Sequence, residues 1–86
     1  MIKLKAKINC GVIGLGRLGY RHATSIVKCQ YANLIAVADP IEESLNRALK
    51  DFDSIKVYED YRELLKNNDI DAVVIATLYW PPFIWT

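Results

Sequence analysis

The chain has 86 residues, room for one small domain. Eleven Lys and Arg stand against ten Asp and Glu, a formal net charge of +1, with no basic stripe of the kind that grips nucleic acid. Apolar residues make up 52% of the chain, which excludes a disordered polymer, and no run of 18 or more apolar residues offers a membrane-spanning helix. The opening Met1-Ile2-Lys3-Leu4-Lys5-Ala6-Lys7 lacks the apolar core of a secretory leader, so a cytoplasmic protein is expected. Cys10 and Cys29 are too few for a disulfide framework and lie in apolar stretches, where reduced, packed thiols are expected. No C-x-x-C pair or His-rich cluster is present, and the single His22 cannot build a site of histidine ligands, so no metal site is expected.

Short apolar runs alternate with helical patterns. Ile8 to Ile13 reads as a strand, and the alternation of Ile2, Leu4 and Ala6 with Lys3, Lys5 and Lys7 is compatible with a backward extension. Gly14 to Gly19 is a glycine-rich turn. Residues 19 to about 29 read as a helix with Gly19, Ala23, Ile26 and Val27 on one face. Leu34 to Ala38 is a second strand, uncharged until Asp39. Pro40 suits the first position of a helix, in which Ile41, Leu45, Ala48, Leu49 and Phe52 repeat at helical spacing. Ile55 to Tyr58 is a third short strand. Asp60 with Glu63 resembles a capping box opening a helix whose apolar face is Tyr61, Leu64 and Leu65, and Asn67-Asn68-Asp69 ends it. Ala72 to Ala76 is a fourth strand, apolar throughout.

The order β-α-β-α-β-α-β, with continuous apolar strands, implies an α/β fold: a parallel sheet covered on both faces. Right-handed crossovers and the doubly wound (Rossmann) pattern give a partial sheet in the order 3-2-1-4. Two helices then cover one face and the third covers the other. The switch point, where such sheets bind ligands, lies between strands 1 and 4.

Gly14-Leu15-Gly16-Arg17-Leu18-Gly19 is a complete G-x-G-x-x-G. It follows a strand, opens a helix and precedes Asp39 by twenty residues. Gly14 permits the tight turn, Gly16 lets a pyrophosphate approach the backbone, and Gly19 lets the helix sit close to the sheet. The helix N-terminus offers unpaired N–H groups and a partial positive charge to phosphates. Asp39 is placed to accept hydrogen bonds from the adenosine ribose hydroxyls, and its charge disfavours a 2′-phosphate. NAD is therefore the expected cofactor, with NADP left open. The candidate cofactor-binding residues are Gly14, Leu15, Gly16, Arg17, Leu18, Gly19, Asp39 and Thr77, the last at the end of the fourth strand beside the switch point.

Other residues carry less. Arg17 either supports a phosphate or is solvated. His22 is expected to be a packed or capping imidazole, with no partner to make it catalytic. Lys3, Lys5 and Lys7 read as a solvated strand face, and Glu42, Glu43, Arg47 and Lys50 as a solvated helix face.

Together these residues resemble the Gfo/Idh/MocA oxidoreductases, the family of glucose–fructose oxidoreductase and inositol 2-dehydrogenase. The similar features are the glycine fingerprint with His22-Ala23, Ala36-Val37-Ala38-Asp39, Tyr58-Glu59-Asp60-Tyr61 with Leu64-Leu65, and Ile70-Asp71-Ala72-Val73-Val74-Ile75-Ala76-Thr77. They span about residues 8 to 77. The resemblance implies an N-terminal NAD(P)-binding Rossmann domain in residues 1–77. It also implies a separate C-terminal substrate and oligomer domain, and hydride transfer to or from a sugar, cyclitol or similar hydroxyl compound.

The family's strand ending in Glu-Lys-Pro, which carries its usual catalytic lysine, does not occur in these 86 residues. No catalytic residue is therefore assigned, and the chain alone is expected to be inactive. Residues 78–86 hold four of the nine aromatic residues, with Pro81-Pro82 and no charge. A truncation near Leu78, an aromatic flap over the fourth strand and a hydrophobic oligomer contact all remain open for this tail. The leading reading is the dinucleotide-binding part of such an oxidoreductase. The alternatives are a non-enzymatic nucleotide-binding or protein-interaction module, and a nonfunctional remnant. A fourth strand left at the sheet edge is expected to bring weak stability or a homo-oligomer.

Overall fold

A computed structural model describes residues 7–77. In chain order they form β1 (Ile8–Ile13), α1 (Arg17–Lys28), β2 (Ala32–Ala38), α2 (Glu42–Asp51), β3 (Lys56–Tyr58), α3 (Tyr61–Leu65) and β4 (Ala72–Ile75). The backward strand extension through Ile2, Leu4 and Ala6, and every expectation about residues 78–86, lie outside the described residues. The strands pair in parallel in the order β3-β2-β1-β4. That is the doubly wound order expected of apolar strands joined through helices.

The two faces carry separate cores. Val12, Leu34 and Val37 meet Ala23 of α1, Leu45 and Ala48 of α2, and Phe52. On the other face Ile13, Ala36 and Ala38 meet Leu64 of α3. Val12, Ile13, Val37 and Leu64 are fully buried, and each such side chain contributes about 1.5–3 kcal/mol relative to exposure. Gly11 lets the second face close: a Cβ there would stand 3.2 Å from methyls of both Leu64 and Ile70.

One irregularity decides which β2 residues face which core. Cys10 pairs with Leu34 but Gly11 pairs with Ala36, so Ile35 is an extra residue in the β1–β2 ladder. This bulge puts Leu34 and Val37 on one face and both Ile35 and Ala36 on the other.

The helices depart from expectation in detail. α1 begins at Arg17, two residues early, inside the glycine motif. Pro40 is not the first helical residue: α2 starts at Glu42 with Ile41 as its N-cap, because the Asp39 side chain accepts from the Ile41 N–H at 2.8 Å and holds the chain extended there. Asp60 caps α3 by accepting from the Arg62 N–H at 2.9 Å. Glu63 completes no reciprocal box; it pairs with Lys66 at 3.2 Å. The buried stripes are narrower than the apolar spacing: Val27, Leu49 and Leu65 are exposed.

At the end of the sheet away from the glycine turn, polar side chains bind the strand starts together. The Asn33 amide donates to Asn9 Oδ1 at 3.2 Å, and the Asn9 amide donates to the Asp69 carbonyl at 3.1 Å. The Asn9 N–H donates to Asp71 Oδ2 at 2.8 Å, which fixes the entry to β4. Both cysteines are free, but only Cys10 is half-buried; Cys29 ends α1 in an exposed position, so it is not the packed thiol expected. Burial and the nearby Asp71 charge push the Cys10 thiol pKa up. His22 is also exposed rather than packed, although its neighbour Ala23 is buried. Among the described residues no helix is long and apolar enough to cross a membrane, and no group of three or more His, Cys, Asp or Glu could hold a metal.

Candidate functional site

The carboxyl ends of β1, β2 and β4 converge on one open cleft of about 720 Å³. Gly14 turns the chain out of β1 with φ +94°, a conformation that L side chains rarely adopt. Its N–H donates to the Ala38 carbonyl at 2.8 Å, and a Cβ there would sit 3.0 Å from the Ala76 carbonyl group. Gly19 is constrained more severely: a Cβ would fall 1.7 Å from the Gly14 oxygen. The first turn of α1 can therefore lie directly on the glycine loop only because residue 19 has no side chain.

Gly16 is the converse. It is the N-cap of α1 and has no side-chain cap; a Cβ there would meet nothing within 4 Å, because it faces open space. The first-turn N–H groups of α1 are thus left for an external acceptor, and no acidic side chain in that turn competes for them.

Asp39 ends β2 and is only 7% exposed. Its Oδ2 accepts from the Leu15 N–H at 2.7 Å and its Oδ1 from the Ile41 N–H at 2.8 Å. The carboxylate therefore ties the glycine loop to the start of α2. Each oxygen retains a further lone pair for a hydroxyl donor. Thr77, after β4, carries a buried Oγ1 with no hydrogen-bond partner. An orphaned hydroxyl at the rim of such a cleft fits a polar ligand that would complete it.

Of the eight candidate residues, Gly14, Gly16, Asp39 and Thr77 line the cleft. Gly19 acts beneath it as a packing residue. The Leu15 side chain is buried in the core and its N–H is already bound to Asp39, so Leu15 shapes the loop rather than offering a free donor. The Arg17 side chain lines a neighbouring groove, and Leu18 is 56% exposed away from both. The cleft also recruits Ile41 on one wall and Tyr61 on the other, both of which the pattern assigned to helix faces, and Arg62, which the pattern did not single out. Only the strand order, which brings the β3 end beside the β2 end, would have signalled them. Arg62 is held by Asp60 through three side-chain bonds, of 2.7, 3.0 and 3.2 Å, and those bonds hold the Asp60 carboxyl down at about 2.

A glycine loop, an uncapped helix start, a carboxylate at the end of the second strand and an orphaned hydroxyl suit a dinucleotide such as NAD. Residues 8–79 match the family described as Gfo/Idh/MocA, oxidoreductase family, NAD-binding Rossmann fold. The chain is 37% identical over 75 residues to scyllo-inositol 2-dehydrogenase (NAD(+)) of Bacillus subtilis, covering 86% of this chain and 22% of that protein. It superposes on scyllo-inositol dehydrogenase from Lactobacillus casei, solved with NAD(H) and scyllo-inositol, with TM-score 0.77 and 40% identity over 83% of this chain and 21% of that one. The L. casei myo-inositol dehydrogenase, solved with NAD(H) and myo-inositol, gives TM-score 0.78 and 35% identity over 84% of this chain and 22% of that one. The chain thus spans about a fifth of the length of the curated relatives it matches.

Proposed function

The chain belongs to the Gfo/Idh/MocA oxidoreductases, within their NAD-binding Rossmann portion, and from that we propose that it holds NAD for an inositol-dehydrogenase-like oxidation of a cyclitol, sugar or similar hydroxyl compound. The observation that carries this reading is the pairing, in one cleft, of an uncapped α1 start at an open Gly16 with the buried Asp39 carboxylate. The pyrophosphate would lie on the first-turn N–H groups of α1, from Arg17 to Gly19, over Gly14 and Gly16. Asp39 would accept from the adenosine ribose hydroxyls with the lone pairs left free by Leu15 and Ile41. Thr77 Oγ1 would donate to or accept from the cofactor at the switch point. A 2′-phosphate beside Asp39 would place two anions together, so NAD is preferred over NADP.

When bound, NAD supplies the hydride acceptor; the residues described here orient it and neutralise its phosphates. These 86 residues contain no Glu-Lys-Pro, so they are expected to bind cofactor without turning over substrate. Calorimetry with NAD and NADP, followed by an assay for NADH formation with inositols, tests both halves. The reading requires saturable NAD binding, weaker NADP binding and no turnover. Absence of NAD binding by a folded chain would overturn it.

A further inference from the structure

A second groove, of about 560 Å³, lies beside the glycine loop on the outer side of α1. Its walls carry Arg17, Arg21 and Arg47 together with Tyr20 and the hydroxyl residues Thr24 and Ser25. We infer that this groove, which adjoins the dinucleotide cleft at Gly16, is an oxyanion site for a phosphoryl group distinct from the one that the cleft would hold. Arg17, Tyr20, Arg21, Thr24 and Ser25 form one continuous stripe at helical spacing along α1, and Arg47 faces them from α2.

Two observations distinguish this stripe from ordinary solvated charge. The first is order at Arg47. Its guanidinium lies 3.9 Å from the centroid of the Tyr20 ring, and the Tyr20 hydroxyl is bound in turn to Asp51. Tyr20 also stacks on Phe52 at 5.2 Å, so the stacked arginine is anchored to the core. Arg47 also bonds to the Tyr20 hydroxyl, and a guanidinium carries five N–H donors, so donors beyond that bond remain for an oxyanion. The second is uncompensated charge. Arg17 and Arg21 are like charges one helical turn apart, a destabilising pair, and neither forms a salt bridge among the described residues. Asp51 is the nearby acid, and its carboxylate is engaged by Tyr20. A phosphoryl group would relieve the repulsion and meet planar donors of matching geometry.

The chemistry is that of a phosphate, whether free, on a nucleotide or on a second ligand. It does not require that the neighbouring cleft hold NAD. Inorganic pyrophosphate is the probe, titrated calorimetrically into the 86-residue chain alone and again with saturating NAD. Pyrophosphate is expected to bind in both cases. Arg21→Gln and Arg47→Gln should each weaken it by about tenfold or more while leaving NAD affinity within about twofold. Arg47→Lys, which keeps the charge but loses the fork, should fall in between. If NAD displaces the pyrophosphate, the anion sits on the glycine loop and the inference fails. It also fails if pyrophosphate does not bind or if the Gln variants bind it as well as the parent. Thermal melting checks that each variant is folded; should Arg47→Gln not fold, the exposed Arg21→Gln decides alone.

Discussion

The Leu15 N–H donates to Asp39 Oδ2 at 2.7 Å across 24 residues of sequence, so one carboxylate both closes the glycine loop and faces the cleft. The same group holds the Ile41 N–H through its other oxygen. Asp39 is therefore structural before any ligand arrives. Asp39→Ala leaves two N–H groups without their acceptor, and bonds to a charged group contribute about 1.5–3 kcal/mol each. A loss of about 2–4 kcal/mol in urea unfolding is expected, together with weaker NAD binding and a smaller NAD-over-NADP preference. Unchanged stability would show that the clamp does not form in solution.

The glycines of the fingerprint should separate cleanly. Gly19→Ala would drive a methyl to 1.7 Å from the Gly14 oxygen, and moving α1 off the loop would disturb the core contact at Ala23. A loss of more than about 3 kcal/mol is expected, at the upper end of overpacking costs. Gly16→Ala meets no atom within 4 Å, so stability should change by less than about 1 kcal/mol. Its methyl occupies the space a pyrophosphate would need, however, and NAD affinity should fall by about tenfold or more. Urea melts and NAD titrations of the two variants give opposite patterns if this division of labour holds.

Much of this was legible in the sequence because the signals were local. The apolar strands alternating with helical patterns, the glycine turn and the Asp39 spacing led directly to β3-β2-β1-β4 and to a cleft at Gly14. The bulge at Ile35 was not legible, since Leu34-Ile35-Ala36-Val37-Ala38 contains no polar residue to mark register. Pro40 was misplaced by two positions because the side chain before it, Asp39, captures the Ile41 N–H and delays the helix. Ile41 and Tyr61 looked like helix-face residues because helical spacing cannot report that the ends of β2 and β3 stand side by side. Val27, Leu49 and Leu65 continue the helical apolar spacing but are exposed, and spacing alone does not report which members of a stripe meet the sheet.

The rim of the cleft makes a prediction about pH. The Arg62 guanidinium and the Arg62 N–H both bond to the Asp60 carboxylate, which lowers its pKa from 3.8 to about 2. The folded value is depressed, so the stabilisation from this pair is fully present above about pH 3.8 and is lost as pH falls through about 2. Carboxyl-detected NMR should place the Asp60 midpoint near 2. In Arg62→Ala the midpoint should move back toward 3.8, because the largest cause of the shift is the side-chain bond to Arg62. An Asp60 midpoint near 4 in the parent chain would show that the pair is open in solution.

Leu64 should be the most sensitive core position on the α3 face. It is completely buried, it comes from a helix of only five residues, and its methyls stand 3.2 and 3.5 Å from where a Gly11 side chain would begin. Ile13, Ala36 and Ala38 are the buried residues of its cluster, two of them too small to fill a vacancy by changing rotamer. Leu64→Ala is expected to cost about 3–5 kcal/mol, the upper part of the range for sites that cannot collapse. Leu65→Ala, one residue along the same helix but exposed, should cost under about 1 kcal/mol. Gly11→Ala inserts a methyl toward both Leu64 and Ile70, so it should be destabilising alone by about 1–3 kcal/mol. In the double variant with Leu64→Ala, the new methyl would occupy part of the space vacated by the leucine. The two losses should then add to less than their sum, and a double-mutant cycle by urea unfolding measures that coupling directly. Strict additivity would mean that α3 does not pack on β1 through this pair.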